Sequence, residues 1–237
     1  MSLLSAIKTP TIEFLCDEKD WDVIPPPIPA RKFMPEWYKK LPMRLNEGLN
    51  SATIKRCPPF LDAMQLGWII PLAADVEFRT SNTAGKVDWN SSFYKDVIES
   101  HSYPQITTDE APHPALPKPP LKFLNYWMIR VPKGYSVMFV PPLNRPDLRF
   151  ECMSGVVECD KYFEYINFPF TFNKPGFHGI VEAGTPLVQV IPIKRDTAIT
   201  KAKIAKFADK DTVELELTRR KRASHESYYR DKLWERK

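Results

Sequence analysis

The sequence predicts a mainly β protein: an antiparallel barrel or sandwich, β-clip or double-stranded β-helix-like, with a few short helices and a C-terminal helix. Three observations lead there. Short alternating apolar stretches recur between turn residues from Leu121 onward, which is the pattern of antiparallel strands rather than of βαβ units. Proline is abundant, at 24 residues where about 5% usage would give roughly 12. Glycine is scarce, at 8. Many prolines with few glycines describe long, ordered, irregular connections, because proline fixes φ and cannot donate to a strand ladder. With 43% hydrophobic and 12% aromatic residues in 237, the chain has ample material for a core.

Taken in order, "TIEFLC" alternates at Ile12, Phe14 and Cys16 and reads as a strand. "VIPPPIPARKFMPEWYKKLP" is extended and polyproline-like, and ends in a short helix at "PEWYKKL" that Pro35 can open. Its interspersed large apolar residues favour an arm laid over the body, with Trp37 and Tyr38 as anchors. "CPPFLDAMQLG" reads as a helix opened by Pro58 and Pro59 and stopped by Gly67. "WIIPLAADVEFR" is extended, and "SSFYKDVIESH" offers a helical turn or two capped by Ser91 or Ser92. A second proline-rich stretch covers residues 102–120, a long connection of the kind that often carries function.

The β signal is strongest in "KFLNYWMIRV" and "YSVMFV", which flank "PKG" as a hairpin. "IVEAGTPLVQVIPIKR" reads as a second hairpin around Ala183-Gly184-Thr185-Pro186, with Pro192 marking an edge or bulge. After Lys194, "TAITKAKIAKFA" reads as helix, "TVELEL" as strand and "RRKRASHESYYRDKLWERK" as an amphipathic helix with Tyr229, Leu233 and Trp234 on its apolar side. The expected organisation is one β-rich domain over residues 1–195, including the wrapping segments 24–42 and 102–120, then a basic helical extension over 196–237.

Charge is unevenly spread. From Lys194 onward there are 14 Lys/Arg against 8 Asp/Glu, and before it 20 against 21, so the net +5 belongs to the tail. "TRRKR" beside Tyr228, Tyr229 and Trp234 is too interleaved with acids for a nucleic-acid surface, and nucleic acid is not an expected partner. The longest apolar runs, such as "WIIPLAA", fall far short of the ~20 residues a membrane span needs, so no membrane is expected. The start "MSLLSAIKTPTIEF" has neither a charged n-region nor a sustained apolar run, and Cys16, Cys57, Cys152 and Cys159 form no C-x-x-C pair. A cytoplasmic protein with free thiols is the expectation.

No residue stands out as catalytic and no cofactor is implied. The chain lacks G-x-S-x-G, G-x-G-x-x-G and the P-loop pattern. Cys57, at a helix start beside Lys55 and Arg56, is the best reactive-thiol candidate. A two-His-one-carboxylate iron oxygenase would suit a strand-rich body, but no His-x-Asp/Glu occurs; only His101, His113 and His178 remain as metal-ligand candidates. Polar residues at strand ends and helix starts form the ligand-binding set: Arg56, Asp62, Asn144, Arg145, Asn167, Glu182, Gln189 and Arg195, with Arg149 nearby. Convergent polar groups at the mouth of a β fold would take a small, anionic molecule.

The run "IKRCPPFLDAMQLGWIIPLAADV", with "KFLNYWMIRVPKGYSVMFVPPLNRPDLRF", "GVVECD", "YINFPF" and "AGTPLVQVIPIKRD", resembles a family of uncharacterised proteins common in marine T4-like phages and also found in bacteria. The resemblance spans roughly residues 20–195 and implies a phage or bacterial cytoplasmic protein without assigning an activity. "EAGTPLVQVIPI" is also similar to the closing strands of the dUTPase and dCTP deaminase group, implying a trimeric β-clip and deoxynucleotide substrates, although that group's Ser-rich, Arg-bearing phosphate motif has no counterpart here. The functions to weigh are therefore small-ligand binding, a phage structural or assembly accessory role through protein contacts, and a non-haem oxygenase, with homo-oligomer formation left open.

Overall fold

The structure is a computed structural model that describes residues 9–45, 52–82, 87–101, 121–197 and 199–235. The chain forms two compact units: Met1–Met34 with Met64–Asp196, and Pro35–Ala63 with Thr197–Lys237. All fourteen described strands belong to the first unit and every pairing is antiparallel.

The largest sheet runs in the order β11 (Gly155–Val157), β9 (Tyr135–Val140), β14 (Pro186–Lys194), β3 (Trp68–Pro71) and β2 (Ile28–Pro29). A second sheet orders β10 (Phe150–Cys152), β12 (Phe168–Phe172), β7 (Leu121–Phe123) and β6 (Ile98–Ser100). A third places β4 (Val76–Thr80) between β13 (His178–Val181) and β5 (Val87–Asn90), and β1 (Glu13–Leu15) pairs with β8 (Met128–Arg130). The sheets are open rather than closed into a barrel, and they pack as a sandwich. Phe78 from the third sheet, Phe123 and Phe170 from the second, and Val137, Phe139 and Val190 from the first share one buried cluster. Phe123 stacks on Phe170 at 4.0 Å, and Phe78 meets both edge-on at 6.4 and 6.3 Å. Each fully buried ring contributes about 1.5–3 kcal/mol, so the aromatic cluster ties three sheets into one core.

The two expected hairpins are not hairpins. β8 pairs with β1, while β9, just past Lys133-Gly134, pairs with β11 and β14. Likewise β13 pairs with β4, while β14 pairs with β3 and β9. The turns reverse the chain as read, with Gly134 at φ 91° and Gly184 at φ 85°, but each hands it from one sheet to another. Pro192 sits where β14 has run past β3 and pairs with β9 alone, so it interrupts no second ladder. "SSFYKDVIESH" is not helical and holds β6 instead.

The second unit is helical, with α1 (Glu36–Lys40), the start of α2 (Pro58–Gln65) and α3 (Asp209–Ser224). "TVELEL", expected as a strand, lies inside α3. Its glutamates and leucines are good helix formers, and Asp209 and Asp211 complement the N-terminal dipole while the Asp211 carboxylate accepts from the Ala208 N–H at 2.8 Å. "TAITKAKIAKFA", expected as helix, is irregular wherever it is described, apart from a single 3₁₀ turn at Arg195–Thr197.

Candidate functional site

The expected ligand residues of the first unit fall into separate places. Arg145 and Gln189 come together: Arg145 Nη2 donates to Gln189 Oε1 at 3.0 Å, and Nη1 to the carbonyls of Phe33 and Ala30 at 2.7 and 3.2 Å. Gln189, fully buried on β14, also accepts from Leu143 N and donates to Leu66 O. This is a polar knot that fastens three connections to the central strand, and burial without a counter-ion pulls the Arg145 pKa down to about 10. Arg195 lies six residues further along, about 20 Å at strand spacing. There it closes on Asp160 at 3.0 Å and on the carbonyl of Tyr135.

Asn144, in the left-handed region at φ 58°, lines a different cleft of about 360 Å³ with Asp147, Phe150 and Leu187. Arg149 is held by Asp147 at 2.6 and 2.9 Å. The Asn167 side chain accepts from Asn125 N at 3.1 Å and shares a cleft of about 450 Å³ with His101 and Tyr165. The Glu182 carbonyl closes the turn before β14 by accepting from Thr185. His178 faces Glu77 at 2.9 Å across the β13–β4 pair, and His113 lies outside the described residues. Among the described residues no group of three or more His, Cys, Asp or Glu side chains is placed to hold a metal ion. Cys152 and Cys159 are pushed up by burial, Cys159 to about 11, which makes their thiolates scarce at neutral pH.

Sequence reading missed one cluster in this unit. The fully buried Asp20 carboxylate receives Lys95 Nζ at 2.7 and 2.8 Å and the Tyr94 hydroxyl, and Lys95 lies 4.9 Å from the Tyr126 ring. Burial works to raise the Asp20 pKa, but the hydrogen bonds from Lys95 and Tyr94 outweigh it and hold the carboxyl below its ordinary value. Partners 74 and 75 residues apart carry no local pattern that could have announced them.

The second unit holds a cavity of about 680 Å³, within the ordinary range for ligand pockets. Its wall includes Arg56, Arg219, Arg222, Arg230, His225, Tyr228 and Tyr229, with Cys57 and Ser227. A 3₁₀ turn, Ile54–Arg56, presents Arg56; it is capped by Thr53, whose hydroxyl accepts from Lys55 N. Lys55 itself turns away to the Lys39 carbonyl at 2.7 Å. Arg219 and Arg222 stand three apart on α3 and therefore share a side. Arg230 belongs to a turn of π-helix, Tyr229–Leu233, closed by Trp234 N on Tyr229 O at 2.8 Å. Asp62 lies outside the wall and accepts from Trp234 Nε1 at 2.9 Å.

One carboxylate, Glu226, lines the cavity itself and Asp231 follows Arg230 of the wall, and both are already committed. Glu226 bridges Arg44 and Arg56, with Arg56 also reaching Ser227 Oγ, and the Arg44 hydrogen bond holds its carboxyl below the usual range. Asp231 takes Arg230 Nε at 2.8 Å and His225 Nε2 at 2.9 Å, and these bonds bring its pKa to about 2. Arg219 and Arg222 have no ion pair among the described residues. Ser227 accepts from Arg56, and His225 is turned to Asp231, so no base among the described residues engages the hydroxyl. The arrangement is chemically one for holding a negative ligand through forked guanidinium donors.

No helix among the described residues is long and apolar enough to cross a membrane. No family model matches the chain, and no curated protein matches it.

Proposed function

We propose that this protein is a cytoplasmic binding protein for a small, multiply charged anion, taken into the arginine-lined cavity of its second unit. One observation carries the reading: Arg219 and Arg222 both line a cavity that already holds two further arginines, and neither is neutralised among the described residues. Like charges gathered in a concave site repel one another, and a ligand bearing phosphate or carboxylate groups relieves that repulsion while accepting paired hydrogen bonds. Tyr228 and Tyr229 add aromatic surface for the ligand's uncharged part. The expected test uses the full chain and isothermal titration with inorganic pyrophosphate and with citrate. At least one should bind, and Arg219→Ala/Arg222→Ala should weaken it by roughly tenfold or more with an unchanged circular dichroism spectrum. Lys201→Ala/Lys203→Ala removes the same charge outside the cavity and should leave affinity within about twofold. Equal losses in both variants, or no binding of either anion, would refute the reading.

A second reading, a structural or assembly accessory acting through protein contacts, is favoured by Ile199, Ile204 and Phe207. All three are large, apolar and exposed in the segment before α3.

A further inference from the structure

Helix α3 is sixteen residues long and buries none of them. A lone helix in water gains little from propensity, and helices are ordinarily held by a covered apolar stripe. Asp211, Leu215 and Thr218 are half-covered on one side. At 100° per residue, Val213 and Leu217 fall on the opposite side, 56% and 49% exposed, away from the direction of Arg222.

The charge along α3 is divided at its middle. Asp209–Glu216 carries four acids and one lysine, and the following eight residues carry four basic side chains and no acid. The helix dipole accounts for charges in the end turns, but Glu214, Glu216, Arg219 and Arg220 lie further in. None of these four has an ion pair among the described residues, not even Glu216 with Arg220 at the favourable i,i+4 spacing.

We infer that α3 pairs antiparallel with the α3 of a second copy of this chain, Val213 and Leu217 forming the seam and each acidic half facing the other's basic half. A twofold contact needs a surface complementary to itself, and a helix negative in one half and positive in the other meets that condition only when antiparallel. A parallel pair sets like charge against like, and a uniformly acidic or basic partner leaves half the helix repelled. Val213 and Leu217, with Arg220 and Lys221 of the basic half, all lie outside the wall of the anion cavity, so the seam and these two charges are not shared with the ligand site. A seam about 24 Å long makes a small interface, and such an interface gives a weak, salt-sensitive dimer.

Sedimentation equilibrium of the full chain is the test. A dimer is expected at about 100 μM protein in low salt, with its dissociation constant rising roughly tenfold or more in about 0.5 M salt. Glu214→Lys/Glu216→Lys and Arg220→Glu/Lys221→Glu should each be monomeric alone, and their equimolar mixture should recover a dimer, now a heterodimer. Val213→Ser/Leu217→Ser, which changes no charge, should also be monomeric and serves should a charge variant lose its helix by circular dichroism. A monomeric wild-type chain in low salt overturns the proposal, as does a dimer that survives in either folded charge variant or in the serine variant.

Discussion

Two half-buried arginines show how differently this protein holds the same side chain. Arg145 has only neutral oxygens around it, from two backbone carbonyls and Gln189, and its charge is tolerated because each of its terminal nitrogens has an acceptor. Arg195 instead meets a carboxylate: Asp160, whose side chain is 1% exposed, is held at a pKa of about 2 by Arg195 and by the Gly134 N–H. Because that value lies below the ordinary 3.8, the unfolded chain takes up the proton first. The contact's stability is therefore complete above about pH 4 and is lost as the pH falls toward 2. Asp160→Asn should lower stability at pH 7 and flatten the acid limb between those values. Urea midpoints for both proteins at pH 7, 4, 3 and 2 check this, and an acid limb as steep in the variant as in wild type would exclude the assignment. Glu77, Glu226 and Asp231, also held below their ordinary values, leave the variant some acid sensitivity.

At the scale of elements, Gly67 is both a helix stop and a point of closest approach. It follows α2 at φ +69°, and a Cβ there would lie 2.0 Å from the Val190 carbonyl oxygen on β14. Gly67→Ala should cost about 3 kcal/mol or more, from left-handed strain and a clash with backbone that cannot yield. Gly134→Ala, at φ +91° with nothing within 4 Å, should cost only about 1 kcal/mol. Equal urea-denaturation losses would mean that the approach to β14 is not what requires glycine. The stop at Gly67 was legible because glycine after an apolar helical face has a local cause. Strand partners were not, since turn chemistry at Gly134 and Gly184 dictates reversal but not which sheet edge receives the next strand. "TVELEL" misled because Val213, Leu215 and Leu217 satisfy a period of two, while the flanking Asp and Arg/Lys residues complete a capped helix over a longer window. At the site, Arg56 could be singled out beside a helix start. Arg219 and Arg222 read only as part of a solvated basic run, because their convergence with Arg56 joins positions more than 160 residues apart.

Over the whole molecule, the excess positive charge and the apolar core occupy different parts of the chain. Residues 1–193 hold 20 basic against 21 acidic side chains, and the sheets with their aromatic cluster lie within the first unit. That unit is held chiefly by buried apolar surface, with Asp20–Lys95 and Asp160–Arg195 as shielded pairs rather than open surface bridges. The anion binding proposed for the arginine-lined cavity would rest instead on long-range Coulomb attraction. Salt separates the two contributions, because the screening length shrinks from about 14 Å at 0.05 M to about 4 Å at 0.5 M. Over that range pyrophosphate affinity should fall roughly tenfold or more, since binding neutralises several guanidinium groups at once. The main thermal transition should move by only about 2–4 °C, the equivalent of ~1 kcal/mol in a chain of this size. Titrations and melting curves on one salt series measure both. Affinity that ignores salt would mean that the ligand does not neutralise the arginines. A large fall in the thermal midpoint would mean that exposed ion pairs, rather than the phenylalanine cluster, hold the sandwich together.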